Sequence, residues 1–115
     1  FAPAVSALRL YVRLEPADAG YRYKLALALN ETGDLAGARD ALEAAVARDP
    51  GHARAWYNLG LARNALGDPG AAIEALLRAE AAEPRDPDFP WARATLHLAL
   101  GQHADARLAA LRTLE

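Results

Sequence analysis

The sequence repeats itself at intervals of 34 residues, and this period limits the possible folds more than any other feature. Four sets of like residues recur at this spacing: Pro16, Pro50 and Pro84; Gly33, Gly67 and Gly101; Ala38, Ala72 and Ala106; and the aromatic Tyr23, Tyr57 and Trp91. A fixed period of this length is typical of architectures that stack one supersecondary unit many times. We therefore expect a stacked array in which each unit packs mainly against its neighbours.

The residues within one period predict two helices. Glycine past an apolar helical segment suits the left-handed residue that ends a helix, as at Gly33 and Gly67. Asp34 and Asp68 follow directly, where a carboxylate can cap the next helix. Pro50 ends that second helix, because proline cannot continue it. We expect helices near residues 3–15, 20–32, 35–48, 53–66, 70–82, 89–100 and 103–114.

The middle unit carries a family resemblance. Nine of its residues have the types and offsets of one known 34-residue repeat: Trp56, Leu59, Gly60, Gly67, Asp68, Ala72, Leu76, Ala79 and Pro84. The unit resembles the tetratricopeptide repeat. The resemblance implies an all-α fold, a right-handed α-solenoid of helical hairpins. It divides the chain into the second helix of an incomplete repeat (1–16), two full units (19–52 and 53–86) and a divergent, C-terminally truncated unit (87–115).

Some positions depart from the family pattern. Arg22 stands where the family has Trp in the first full unit, and the third unit departs at Pro90 and Arg93. In the middle unit we expect Trp56 to be buried between the two helices, with Gly60 at a close helix contact.

Composition restricts the classes of partner. A formal net charge of −2 offers no general attraction to nucleic acid, and charged residues interrupt every long apolar stretch, so a membrane span is not expected. The chain contains no Cys, so cysteine usage does not indicate in which cellular compartment the protein works. Because the chain begins at Phe1, and because it prefers Arg to Lys and is rich in Ala, we expect a piece of a larger bacterial protein.

Catalysis is not expected, and neither is a cofactor or a metal. Ser6 is the one serine, and the three histidines have no ligand spacing: His52, His97 and His103. We expect His97 to be a partly buried packing residue and His52 a loop or surface residue. Asp86 and Asp88 are interpreted as solvated turn residues.

The resemblance also implies a binding surface. Ligand contacts in the family come mainly from set positions on the first helix of each repeat, which face the inner side of the superhelix. In this chain the predicted groove residues are Tyr23, Lys24, Leu27, Asn30, Arg54, Tyr57, Asn58, Leu61, Asn64, Trp91 and Thr95. The three aromatic residues are predicted to be accessible, as anchors for a partner.

Two kinds of ligand are disfavoured. Members that hold an acidic chaperone tail use a clamp of Lys, Asn, Asn, Lys and Arg, and of these this chain keeps one, Asn58. An RNA-binding groove would be strongly basic, whereas here Glu31 and Asp88 oppose Lys24 and Arg54.

Two functions therefore stay open. The first is a protein-interaction module that binds a peptide segment or a partner helix in its groove. The second is a structural or self-association arm of a larger enzyme or redox protein. In either case the end helices, with Leu108, Leu111 and Leu114 uncovered, are predicted to favour a homo-oligomer.

Overall fold

Seven α-helices and no strand occur in residues 2–14, 19–101 and 103–113, which the computed structural model describes. The helices are α1 (Ala2–Leu14), α2 (Ala19–Glu31), α3 (Leu35–Arg48), α4 (Ala53–Ala65), α5 (Pro69–Ala82), α6 (Asp88–Ala99) and α7 (His103–Arg112). Their bounds lie within two residues of the predicted ones. The all-α prediction is confirmed. Pro16 and Leu114 lie outside the described residues.

Each tight turn between paired helices is built on a left-handed glycine. Gly33, Gly67 and Gly101 have φ angles of +86°, +89° and +76°. The amide of Asp34 donates to the Leu29 carbonyl at 2.9 Å across the first of these turns. This six-to-one hydrogen bond satisfies a carbonyl left over at the end of α2.

The second helix of each full unit begins at an aspartate cap. The Asp34 carboxylate accepts the Gly37 amide at 2.9 Å, and Asp68 accepts the Ala71 amide at 3.1 Å. Pro69 occupies the first helical position of α5, where a missing amide hydrogen has little cost. The predicted caps are therefore present.

The helices stack in chain order into an elongated molecule. All of the extensive helix–helix contacts join consecutive helices, from α1 with α2 to α6 with α7. The principal extents are 46 × 24 × 18 Å. Buried residues lie in clusters between neighbouring helices, as a stacked array requires.

Gly60 marks the closest helix approach in the middle hairpin. A Cβ at this position would lie 3.1 Å from the Ala72 carbonyl oxygen and 3.2 Å from Cγ of Leu76. The predicted close contact is confirmed, since only glycine leaves the necessary space.

Trp56 differs from its prediction, because it is only partly buried. Its indole Nε1 donates to the Pro50 carbonyl at 2.8 Å, and the ring packs beside two buried clusters. The fully buried large side chains among the described residues are Phe89, Leu59 and Leu76. The polar indole edge holds the ring near the interhelix loop, so the apolar centre of the hairpin is filled by Leu59 and Leu76.

A buried ion pair joins α5 to α6. Glu80 is 6% exposed, and its carboxylate accepts two hydrogen bonds from the Arg93 guanidinium, one of them at 3.0 Å. Arg112 of α7 adds a contact of 3.4 Å. The departure of Arg93 from the family pattern therefore has a structural reason, since this arginine neutralises a buried carboxylate.

Candidate functional site

Four of the predicted groove residues, on α2 and α4, line one pocket to which α3 also contributes. Leu27 and Asn30 belong to α2, and Asn58 and Leu61 belong to α4. Helical spacing explains why each pair shares a face, since residues three apart are neighbours on a helix surface. The pocket has a volume of about 250 Å³. We call it the α2–α4 pocket.

Small and aliphatic residues complete this pocket, and none of them was predicted to be a groove residue. They are Ala26, Leu35, Ala38, Leu42, Ala62 and Ala65. Ala38 is one of the alanines that recur every 34 residues, and small side chains of this kind leave space between the helices.

Tyr23 and Asn58 connect the two walls above the pocket. The Asn58 amide Nδ2 donates to the Tyr23 hydroxyl at 2.9 Å. The Tyr23 ring also packs against His52, with centroids 4.5 Å apart. His52 in turn caps α4, because its Nδ1 accepts the Ala55 amide at 3.1 Å. These contacts hold Tyr23 and Asn58 in position. His52 was predicted to be a loop or surface residue, and its role as a helix cap was not predicted.

Arg54 forms the centre of a second cluster, at the junction of α4 and α6. Its Nη2 donates to Asp88 at 3.0 Å and to Asp86 at 3.3 Å. The hydrogen bond to Asp88 raises the pKa of Arg54 above its ordinary value. The guanidinium also lies over the rings of Tyr57 and Phe89, at 5.3 and 5.4 Å from their centroids. Both aspartates, which were predicted to be solvated turn residues, therefore hold Arg54, and the contact with Asp88 joins α4 to α6.

The other predicted groove residues do not line the α2–α4 pocket. Trp91 is 64% exposed on α6, and Thr95 on the same helix donates its hydroxyl to the Trp91 carbonyl at 3.0 Å. The Lys24 ammonium lies 4.8 Å from the Tyr21 ring centroid. Asn64 is exposed near the end of α4.

The prediction of three accessible aromatic residues holds for Trp91 alone. Tyr23 and Tyr57 are partly buried and pack against buried clusters. Tyr57 packs against Phe89, with ring centroids 5.4 Å apart. Phe89 itself was not predicted to be important, yet it is fully buried.

The histidines differ in their surroundings. His97 is 8% exposed, more buried than predicted, and lies 3.5 Å from the Arg93 guanidinium. The side chain of His103 lies outside the described residues. In the described part of the chain, no group of three or more His, Cys, Asp or Glu residues could hold a metal ion. Within the same residues, no helix has the length and apolar character needed to cross a membrane.

Comparison with known proteins identifies the family. A model of the tetratricopeptide repeat matches three overlapping segments, residues 1–51, 23–87 and 60–115. The chain belongs to the tetratricopeptide repeat family. A search of curated proteins by sequence finds no match.

Solved structures of this family resemble the chain closely in fold. A crystal structure of MamA has a TM-score of 0.92 at 25% identity, over 96% of this chain and 64% of MamA. MamA from Desulfovibrio magneticus RS-1 has a TM-score of 0.86 at 24% identity, over 96% of this chain and 62% of the other. The Yersinia enterocolitica type III secretion chaperone SycD, solved with a peptide of the translocator YopD, has a TM-score of 0.76 at 25% identity, over 80% and 70% of the two chains. The chain thus spans less than two thirds of the length of these MamA structures.

Proposed function

We propose that this chain is a protein-interaction domain whose α2, α4 and α6 face binds a segment of another polypeptide. The observation that carries the proposal is the α2–α4 pocket. It brings Leu27, Asn30, Asn58 and Leu61 together from two repeats into one apolar depression with amide groups at its edge. Such a combination suits a peptide, because the apolar part contributes affinity and the amides bind backbone groups.

The comparison with SycD supports this function. That chaperone was solved with a translocator peptide, and it shares the fold of this chain at 25% identity. From this likeness we infer that the present chain binds a peptide, without inferring which peptide.

The charges of the face favour a protein partner over a nucleic acid. Its two basic groove residues are engaged within the chain, Arg54 with Asp86 and Asp88, and Lys24 over the Tyr21 ring. A nucleic-acid surface needs several cations directed at phosphates. We propose a non-catalytic role for the same face, since amide and aliphatic side chains line its pocket.

The test begins with selection of binders from phage-displayed random linear peptides. Leu61→Asp places a charge in the pocket, whereas Leu77→Asp places one on α5 outside it, and the two leucines are similarly exposed, at 42% and 47%. We expect Leu61→Asp to weaken a selected peptide about tenfold or more and Leu77→Asp to leave its Kd within about twofold.

Amide chemical-shift mapping of the same peptides locates the binding face. Perturbations should concentrate on α2 and α4. Failure to select any binder, or perturbations confined to α3 and α5 away from the pocket, would contradict the proposed function.

A second candidate function, self-association, is favoured by the last helix. Leu108 and Leu111 of α7 are 63% and 52% exposed. Large apolar side chains exposed at the end of an array favour contact with another helix. A self-association arm within a larger protein would use this surface.

A further inference from the structure

We propose that the α2–α4 pocket binds one aliphatic side chain from an internal segment of a partner polypeptide, with Asn30 and Asn58 binding the backbone of that segment. This inference rests on the proposed function and specifies its ligand. It specifies that the partner side chain bound in the pocket, here called the anchor, is aliphatic. It excludes a charged side chain and a C-terminal carboxylate as the anchor.

The lining of the pocket selects for an apolar side chain. Eight of the ten described residues that line it are Ala or Leu, and the other two are Asn30 and Asn58. None of the ten is charged. Burying a charged group without a partner is strongly unfavourable, whereas burying methyl and methylene groups is favourable. None of these residues has an aromatic ring on which an aromatic side chain of the partner could stack. An aromatic side chain therefore has no advantage from stacking over an aliphatic one.

The size of the pocket argues against a free small molecule. Its volume of about 250 Å³ is smaller than the roughly 300–1,000 Å³ of typical small-molecule sites. The pocket is lined by helices of two successive repeats, α2 and α3 of one and α4 of the next. Its small size favours an anchor that projects from a polypeptide over a free small molecule.

The charge on the surrounding face agrees with a neutral anchor. Arg54 is neutralised by Asp86 and Asp88 at the α4–α6 junction, and Lys24 lies over the Tyr21 ring. Neither cation belongs to the pocket lining. A free carboxylate at this place would lack a cationic partner, and the ligand that complements the pocket is therefore uncharged.

The orientation of Asn58 favours an internal segment of the partner. Its Nδ2 donates to the Tyr23 hydroxyl, so its carbonyl oxygen serves as the acceptor for a ligand. A backbone N–H of a peptide suits this acceptor, whereas a terminal carboxylate offers acceptors alone. The exposed amide of Asn30 lines the pocket from the other wall and can donate to a backbone carbonyl.

The experiment uses the absence of cysteine from the sequence. Ala65→Cys introduces a single thiol in the pocket lining at the end of α4, and Ala81→Cys introduces one near the end of α5 as a matched control. Each variant is equilibrated with small disulfides that carry isobutyl, benzyl, carboxylate or ammonium groups, and the captured fraction is measured by intact-protein mass spectrometry.

We expect Ala65→Cys to capture the isobutyl group about tenfold more strongly than the carboxylate or ammonium group, relative to Ala81→Cys. A second change, Leu61→Asp, should remove this preference. Equal capture of all groups, or a preference for the benzyl or a charged group, would overturn the proposal. Disulfide-linked dimerisation of Ala65→Cys in place of capture would assign the pocket to a second copy and would also overturn it.

This comparison is independent of the peptide selection, because it probes the pocket without a partner. A selected peptide that maps to α2 and α4 should lose about tenfold in affinity when its anchoring aliphatic residue is changed to Ala. If no aliphatic residue of such a peptide matters, the pocket proposal fails while the proposed function stands.

Discussion

A single side chain can decide whether the middle hairpin closes. At Gly60 a Cβ would lie 3.1 Å from the Ala72 carbonyl oxygen, a backbone atom that cannot turn aside. We expect Gly60→Leu to lower the free energy of unfolding by about 1–3 kcal/mol or more, because the added bulk separates α4 from α5. Gly70→Ala is the control, since a Cβ there has room. It should be neutral or stabilising by up to about 1 kcal/mol. Reversible urea denaturation measures both, and an equally stable Gly60→Leu would contradict the close contact.

Two neighbouring aromatic residues on α6 should differ sharply in their effect on stability. Phe89 is fully buried against Ala53 and Ala79, whereas Trp91 is 64% exposed. Phe89→Ala should therefore cost about 3–5 kcal/mol of unfolding free energy. Trp91→Ala should change it by less than about 0.5 kcal/mol. Both losses are measured in the same denaturation experiment. A larger loss for Trp91→Ala than for Phe89→Ala would contradict the assignment of Phe89 as the ring that packs in the core.

The sequence could predict which residue types recur, but it could not predict whether Phe89 or Trp91 is buried in the core. Trp91 continues the spacing of Tyr23 and Tyr57, so periodicity singled it out. Burial depends on the rest of the junction, where Phe89 fills space beside Ala79 and Tyr57. The four pocket residues were predictable because the family resemblance assigns ligand contacts to these positions on the first helices of the repeats.

At the scale of helices, the α3–α4 and α5–α6 junctions are packed with different kinds of residue at equivalent positions. Val46 of α3 and Leu59 of α4 belong to one buried apolar cluster. The residues 34 positions later are Glu80 and Arg93, which form the buried ion pair between α5 and α6. A charged pair thus stands at the positions where the preceding junction has apolar residues.

This equivalence leads to a prediction about the pair. Glu80→Val or Arg93→Leu alone should cost about 3–5 kcal/mol of unfolding free energy, because each leaves a buried charge without its main partner. The double change, which copies the preceding junction, should recover most of that loss, since apolar replacement of a buried ion pair is often neutral or stabilising. A double-mutant cycle by chemical denaturation measures the coupling. Additive losses would contradict the proposed equivalence.

The helices themselves were predictable because their ends depend on local chemistry. Gly33, Asp34 and Pro50 each act within a few residues, through a left-handed turn, a cap and a missing amide hydrogen. The pair of Glu80 and Arg93 was not predictable in this way. Each residue is unfavourable in a core by itself, and its partner lies on another helix, so no local pattern indicates the compensation.

At the scale of the whole molecule, both end helices have one extensive neighbour, and α7 carries two exposed leucines. Each inner helix packs against the helix before and the helix after it, whereas α7 has its extensive contacts with α6. In a stacked array the stability of each unit depends on its neighbours. Leu108 and Leu111 of α7 are exposed.

We expect the 115-residue chain to self-associate reversibly through this surface. Burying the exposed parts of Leu108 and Leu111 should contribute about 2 kcal/mol, so the double change Leu108→Glu and Leu111→Lys should weaken dimerisation roughly thirtyfold. The new side chains are three residues apart and form a favourable helical pair, so α7 should persist. Leu77→Lys, on α5, controls for the loss of an exposed leucine and should leave association unchanged. Sedimentation equilibrium at increasing concentration measures the constants, with circular dichroism as the check on helix content. A chain that stays monomeric at the highest concentration, or a double variant that associates as strongly as the original, would show that the last helix is not the contact surface.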